Sequence, residues 1–192
     1  MKDEYGAAVI SREGELSGRR LALRSFRDGD AAAIVWHADN PNVARYLRER
    51  FPQPYTRAAA AAWLESVTDE KPARNLAITV EDQVIGGIGL APGTDIHRVS
   101  AEVGYWLGEA MWGQGIATCA LRLFIPYALA SFPVCNRLFA YVDEEHAASI
   151  RVLEKNGFRQ EGRFVGAAVQ RGSLRNQLVF GLTRGEVAVD SR

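Results

Sequence analysis

Gly113 and Gly115 stand two apart in GYWLGEAMWGQGIATCALRLF, which runs from Gly104 to Phe124. The stretch begins as a buried strand, passes through a turn at the two glycines and continues as a helix. Such a turn gathers backbone N–H groups at the positive end of a helix, an arrangement that binds phosphate. The spacing sorts the phosphate ligands. A nucleoside-triphosphate loop ends in Gly-Lys-Ser/Thr, whereas Ile116 and Ala117 follow Gly115 here. A dinucleotide fingerprint carries Gly or Ala at its third position for close helix–strand packing, whereas Thr118 stands there. Five residues, Gly108 to Trp112, also separate Leu107 from Gly113, and Asp143 lies beyond the place for a ribose-binding acid. A plain glycine turn without a ligand is the remaining alternative.

The elements that position this turn are legible from periodicity. RRLALRSF (19–26) alternates as a strand, and AAAIVWHA follows Asp28 and Asp30 as a helix with an acidic start. NVARYLRE reads as a second short helix, and FPQPY as a rigid loop. Thr56 is placed to cap the alanine-rich RAAAAAWLESV. NLAITV and VIGGIGLA form a hairpin, and RVSAEVGYWLG (98–108) is a further strand. The helix after the glycine turn spans about 116–130, with Pro126 expected to kink or divide it. NRLFAYV is apolar on both faces, as befits a strand inside a sheet. DEEHAASIRVLEKNGF gives a helix with an acidic start that stops at Gly157, and the chain closes on a hairpin turning near 170–173. The order predicts an α/β fold with a mixed sheet and layered helices.

Composition excludes several classes. The 192 residues suit one domain, expected over 18–185 between an N-terminal extension (1–17), expected to be flexible, and a short tail (186–192). Lys+Arg and Asp+Glu are both 23, so no basic excess points to nucleic acid or an anionic membrane. No apolar run reaches the about 20 residues that span a bilayer, and the start lacks the apolar core of a signal peptide. A cytoplasmic protein is expected. Cys119 and Cys135 form no CxxC and His37, His97 and His146 are scattered, so no metal is expected.

AEVGYWLGEAMWGQGIATCAL resembles the acetyl-coenzyme-A-binding segment of the GNAT N-acetyltransferases. The family loop Q/R-x-x-G-x-G/A reads Trp112-Gly113-Gln114-Gly115-Ile116-Ala117 here, with Trp112 departing from the polar first position. HAASIRVLEKNGF is similar to the family's N-x-x-S-x-x-x-x-E-K-x-G-F, with His146 in the place of asparagine. The two motifs lie in the family's order, and the resemblance covers about 18–185. The opening and the closing hairpin look like the branch that acetylates ribosomal-protein N-termini, although Ala168 and Asn176 stand where that branch carries acids. The resemblance implies a mostly antiparallel central sheet, splayed at its middle and flanked by helices on both faces. It also implies acetyl-CoA as co-substrate and an amine acceptor, a protein N-terminus or a small amine, met in a direct ternary complex. A coenzyme-A-binding sensor without turnover is the alternative, and the oligomeric state, homodimer included, stays open.

The same resemblance assigns roles. The N–H groups of Gly113, Gln114, Gly115, Ile116, Ala117 and Thr118 would hold the diphosphate, with Gly115 allowing close approach and Ala117 keeping the first turn thin. Tyr105, Trp106 and Leu107 would line the pantetheine arm, an N–H near Leu107 meeting the thioester carbonyl, and His146 would touch the same arm. Glu102, on the strand face of Trp106, is the candidate base, acting directly or through water. Ser149 is the candidate acid, and Leu153 stands where other members carry a tyrosine. Arg45, Tyr46, Phe51 and Tyr55 are candidate groove residues. The acceptor must be neutral to attack: at pH 7 a lysine amine of pKa ~10.4 costs ~4.6 kcal/mol to deprotonate, an α-amine of pKa ~8 only ~1.4 kcal/mol.

Overall fold

The computed structural model describes residues 12–16 and 18–187. Its strands are β1 (Arg12–Leu16), β2 (Arg19–Ser25), β3 (Asn75–Val80), β4 (Gln83–Pro92), β5 (Ser100–Leu107), β6 (Arg137–Asp143), β7 (Arg159–Gln170) and β8 (Ser173–Thr183). Its helices are α1 (Ala31–Ala38), α2 (Pro41–Ala44), α3 (Arg57–Val67), α4 (Ile116–Ser131) and α5 (Ala147–Lys155). The result is a mixed, mostly antiparallel sheet with flanking helices, the class the sequence predicts. Two compact units divide the chain: residues up to Gly89 with Tyr105–Ile125, and Leu90–Gly104 with the residues from Pro126 onward.

In the first unit β1, β2, β3 and β4 pair antiparallel in that order. Phe26, Ala77 and Val84 form one buried cluster with Ile34 and Ala38 of α1 and Ala60 and Leu64 of α3. Leu76 and Ile78 alternate with Ala77 along β3 and are fully buried too. Both faces of this strand are therefore covered, which accounts for the unbroken apolar run. Thr56 caps α3 as its sequence suggests, its hydroxyl accepting the Ala59 N–H at 3.1 Å.

In the second unit β5 and β6 run parallel through Ser100↔Arg137, Ala101↔Leu138 and Glu102↔Phe139. That ladder ends there, although β5 continues to Leu107 and β6 to Asp143. Beyond it β6 pairs antiparallel with β8 as far as Asp143↔Gln177, and β8 pairs with β7. Leu138, Leu153 and Phe180 are almost wholly buried. The β7–β8 turn places Arg171 and Gly172 at φ 49° and 76°, a backbone that favours glycine at its second position. Arg184 donates to the carbonyls of Leu129 (3.0 Å) and Cys135 (2.7 Å), tying the end of α4 to the approach to β6.

Five local features depart from the sequence reading. Residues 12–16, expected within the flexible extension, form β1 against β2; the rest of 1–17 and residues 188–192 lie outside the described part. The expected helix over NVARYLRE is one turn, Pro41–Ala44, which loosens into Arg45 N–H to Asn42 and Leu47 N–H to Ala44 contacts. Pro126 does not divide α4, which is continuous from Ile116 to Ser131. The carbonyl that loses its partner belongs to Arg122, an exposed residue. The acidic start of α1 is present, with Asp30 as the residue that flanks the helix, but its carboxylate makes no bond to the helix and accepts two from the buried Arg24, both 2.8 Å. On β6 only one face is fully buried: Leu138, Ala140 and Val142 are inside, whereas Tyr141 is 44% exposed.

Candidate cofactor loop and catalytic residues

The glycine turn builds itself from local bonds. The Met111 N–H donates to the Gly108 carbonyl (2.9 Å) and the Trp112 N–H to that of Glu109 (3.0 Å). The Trp112 indole N–H reaches back to the Leu107 carbonyl (2.9 Å), and the Gln114 amide to the Ala110 carbonyl (2.9 Å). Gly113 and Gly115 sit at φ 75° and 77°, where a side chain costs about 1–2 kcal/mol. This conformation aims the amides that follow outward, and α4 begins at Ile116. Among the described residues the N–H groups of Gly113, Gln114, Gly115, Ile116 and Ala117 find no acceptor, and the Cys119 N–H donates to the Gly115 carbonyl (3.1 Å). Trp112, Gly113, Gln114 and Gly115 are exposed. Five N–H groups in a row without an acceptor stand at a helix N-terminus, with Gly113, Gln114 and Gly115 exposed, Ala117 half-buried and Ile116 buried, an arrangement able to receive an anion. Thr118 lies in the first turn of α4, half-buried, with bonds of its own.

The strand that leads into the loop is seated on glycines. A Cβ at Gly86 would lie 2.2 Å from the Trp106 carbonyl oxygen and 2.7 Å from Leu107 Cδ2. One at Gly87 would lie 2.9 Å from Trp106 Nε1. The two glycines thus let Trp106 and Leu107 press onto β4, and the Gly108 N–H bonds the Ile85 carbonyl at 2.9 Å. Trp106 joins the α1–α3 cluster and meets Phe51 edge-on at 5.8 Å; Phe51 in turn contacts Tyr55 at 4.8 Å. Of the candidate groove residues, Phe51 and Tyr55 therefore belong with Trp106, and burial pushes the Tyr55 phenol up. Arg45 stacks over Tyr46 at 5.1 Å nearer the surface. His37 Nδ1 lies 2.2 Å from where a Gly108 Cβ would stand, and burial lowers this imidazole below its ordinary value.

The second unit holds Glu102, His146 and Ser149. Glu102, half-buried, closes the β5–β6 ladder opposite Phe139. His146 precedes α5 as its capping position, with its N–H on the Asp143 carbonyl (2.9 Å), and Ser149 falls in the first turn. Asp143, Glu144 and Glu145, expected to stabilise the start of α5, all pair with the final hairpin, and Asp143 also accepts the Glu145 N–H (2.9 Å) in the turn before the helix. Arg175 donates to Asp143 (2.7 Å) and Glu145 (2.6 Å), and Arg163 to Glu144 (2.7 Å). Asn176 also donates to Glu144 and accepts the Gly166 N–H at 2.8 Å. The bond from Arg163, then that from Asn176, holds the Glu144 carboxyl below its usual range. Beside this network Phe139, Tyr141 and Phe164 form an aromatic row with centroids 5.5 and 6.0 Å apart.

The family model of the acetyltransferase (GNAT) domain matches residues 20–159. The chain belongs to the GNAT acetyltransferases. It is 31% identical over 175 residues to the uncharacterized N-acetyltransferase p20 of Bacillus licheniformis, covering 88% of this chain and 96% of that one. Among solved structures it superposes on Mycobacterium smegmatis RimJ in complex with CoA-disulfide with a TM-score of 0.83, at 22% identity, covering 93% and 88% of the two chains. On the ribosomal-protein-S5-alanine acetyltransferase of Vibrio fischeri the TM-score is 0.76, at 19% identity, covering 93% and 98%. As a GNAT member the protein is an acetyl-CoA-dependent acetyltransferase. Among the described residues no helix is long and apolar enough to cross a membrane, and no cluster of His, Cys, Asp and Glu could hold a metal ion.

Several contributors escape the motif search. Gly86 and Gly87 carry a sequence signal, since glycine inside a strand often marks a close backbone approach. Asn40 carries another, as the residue before a first-turn proline, and its side chain does cap α2 through the Asn42 N–H (2.8 Å). Nothing in the sequence brings His37 to Gly108 or Asn42 to Glu109.

Proposed function

We propose that the Gly113–Ala117 amides hold the diphosphate of acetyl-CoA and that the enzyme transfers the acetyl group directly to a primary α-amine. The observation that carries this reading is the run of five N–H groups without an acceptor at the start of α4. Two glycines in left-handed backbone stand within the run, and Gly113, Gln114 and Gly115 are exposed. The cofactor supplies an activated acetyl thioester, and this chain's residues bind and orient. Tyr105, Trp106 and Leu107 lie immediately upstream of the loop and line the acyl-bearing arm. Trp112 replaces a polar family residue without removing a donor, because its indole is spent on the Leu107 carbonyl and braces the loop against the strand end. Thr118 contributes at the edge of the cradle, and His146 is assigned to the arm.

Glu102 serves as base, taking the ammonium proton directly or through water, and Ser149 passes a proton to the departing thiolate and recovers one from the nitrogen that becomes the amide. Little is asked of either. An α-amine of pKa ~8 is already about a tenth neutral at pH 7, and a thiolate of pKa ~8.5 leaves readily. The hairpin favours a neutral acceptor environment: Arg163 and Arg175 already occupy Glu144, Asp143 and Glu145, and the neighbouring row is aromatic. That arrangement offers little to a polycationic amine and suits a protein N-terminus or a small amino compound.

The test is calorimetry with acetyl-CoA and NAD, followed by thiol release on a panel of peptide N-termini, amino acids, polyamines and aminoglycosides. Binding of acetyl-CoA alone with turnover on α-amines is expected. Turnover confined to polyamines would refute the acceptor assignment, and binding without any turnover would make the protein a coenzyme-A sensor.

A further inference from the structure

The glycine loop begins with a carboxylate gripped from another element. Glu109 Oε2 accepts from the Asn40 side-chain amide at 2.7 Å, and Oε1 from that of Asn42 at 2.8 Å. Asn40 is fixed at its other end, because its Oδ1 accepts the Asn42 N–H. The α1–α2 turn that carries both asparagines is itself held. The Gln53 amide donates to the Ala38 carbonyl (3.0 Å), and Asp39 accepts the Tyr55 N–H (2.8 Å). On the loop side, the Glu109 carbonyl accepts the Trp112 N–H, one residue before the first cradle amide.

We infer that Glu109 is a positioning residue which the Asn40–Asn42 fork holds in place, so that the α1–α2 turn and the cofactor loop set each other's geometry. The inference rests on acetyl-CoA binding at the glycine loop. An acidic side chain four residues before Gly113 is an unfavourable neighbour for a diphosphate. The fork supplies the carboxylate with two neutral donors and fixes where it points. Arg45 and Tyr46 follow α2 directly, so a ligand that orders the loop also orders the chain leading to the proposed acceptor groove.

The sign of the effect separates this from simple electrostatics. If Glu109 were only a nearby charge, its removal would tighten acetyl-CoA binding. As the held end of a fork, its removal weakens binding. Calorimetry on the full chain is expected to give a roughly three- to tenfold higher Kd for Glu109→Ala, from two charge-assisted bonds in an exposed setting. Glu109→Gln, which retains one bond, falls between that variant and wild type. Asn40→Asp keeps the cap of α2 but turns a second carboxylate toward Glu109, and weakens binding at least as much as Glu109→Ala. Combining Asn42→Ala with Glu109→Ala adds nothing further. Hydrogen exchange supplies the second readout: acetyl-CoA slows exchange over 42–47 in the wild type and not in Glu109→Ala. Tighter binding by Glu109→Ala, or an unchanged Kd with only a lower melting temperature, overturns the inference. Wild-type protein that fails to bind acetyl-CoA overturns the cofactor reading with it, whereas wild-type binding that all the variants share sinks the fork alone.

Discussion

Substitution at Gly115 separates backbone, bulk and charge. The residue sits at φ 77° and is exposed at the mouth of the amide run. Gly115→Ala asks an L-residue to hold a left-handed backbone, worth about 1–2 kcal/mol, and that cost appears in the melting temperature and in a modestly raised Kd. Gly115→Gln adds bulk over the donors. Gly115→Glu is its near-isostere with one negative charge. At about 5 Å from a diphosphate and an effective dielectric near 20, each unit charge would contribute roughly 3 kcal/mol of repulsion. Exposure and physiological salt cut each contribution by about half, so the two charges of the diphosphate together leave roughly a hundredfold further loss from Gln to Glu. The assay is calorimetric titration of the three variants with acetyl-CoA at two salt concentrations, and the Gln–Glu gap is expected to narrow as salt rises. Equal affinities for Gly115→Gln and Gly115→Glu at low salt would show that no anion sits at these amides.

Glu102→Gln is expected to lower kcat by about 10²-fold, the usual contribution of a general base. The deficit is deepest below neutral pH, where the α-amine is mostly protonated; a wild-type rate from pH 6 to 8 would remove Glu102 from the mechanism. His37 is held below its ordinary value by burial against Gly108, so the unfolded chain takes up its proton first. Wild-type stability is therefore expected to fall as pH drops through 6.5, and His37→Gln to flatten that part of a melting-temperature profile. Gly86→Ala drives a methyl into the Trp106 carbonyl and is expected to cost about 1–3 kcal/mol in denaturant titrations. A neutral result there would mean that β4 and the end of β5 are not in the close contact described.

The elements and the glycine turn are legible because their signals are local. Strand alternation, the cap at Thr56, the left-handed stop at Gly157 and the two family motifs are each confined to one short consecutive stretch. What the sequence hid depends on partners far along the chain. Asp30 reads as a helix-start acid until Arg24 is seen beside it, and Asp143–Glu145 read the same way until Arg163 and Arg175 arrive from the hairpin. Trp112 looked like a lost polar contact because spacing cannot show an indole N–H turned back to Leu107. Pro126 leaves α4 continuous because the carbonyl it strands belongs to an exposed residue, which its position in the sequence alone does not show.

The locking of Asp143, Glu144 and Glu145 to Arg163, Arg175 and Asn176 has a practical side for protein engineering. A closing hairpin transplanted from a relative to change acceptor preference would bring its own side chains to positions 163, 175 and 176 and leave the three acids in place. The segment that delivers His146 and Ser149 would then start from unmatched acids. Such chimeras should exchange β6's last residue, the two that follow it and the hairpin as one cassette.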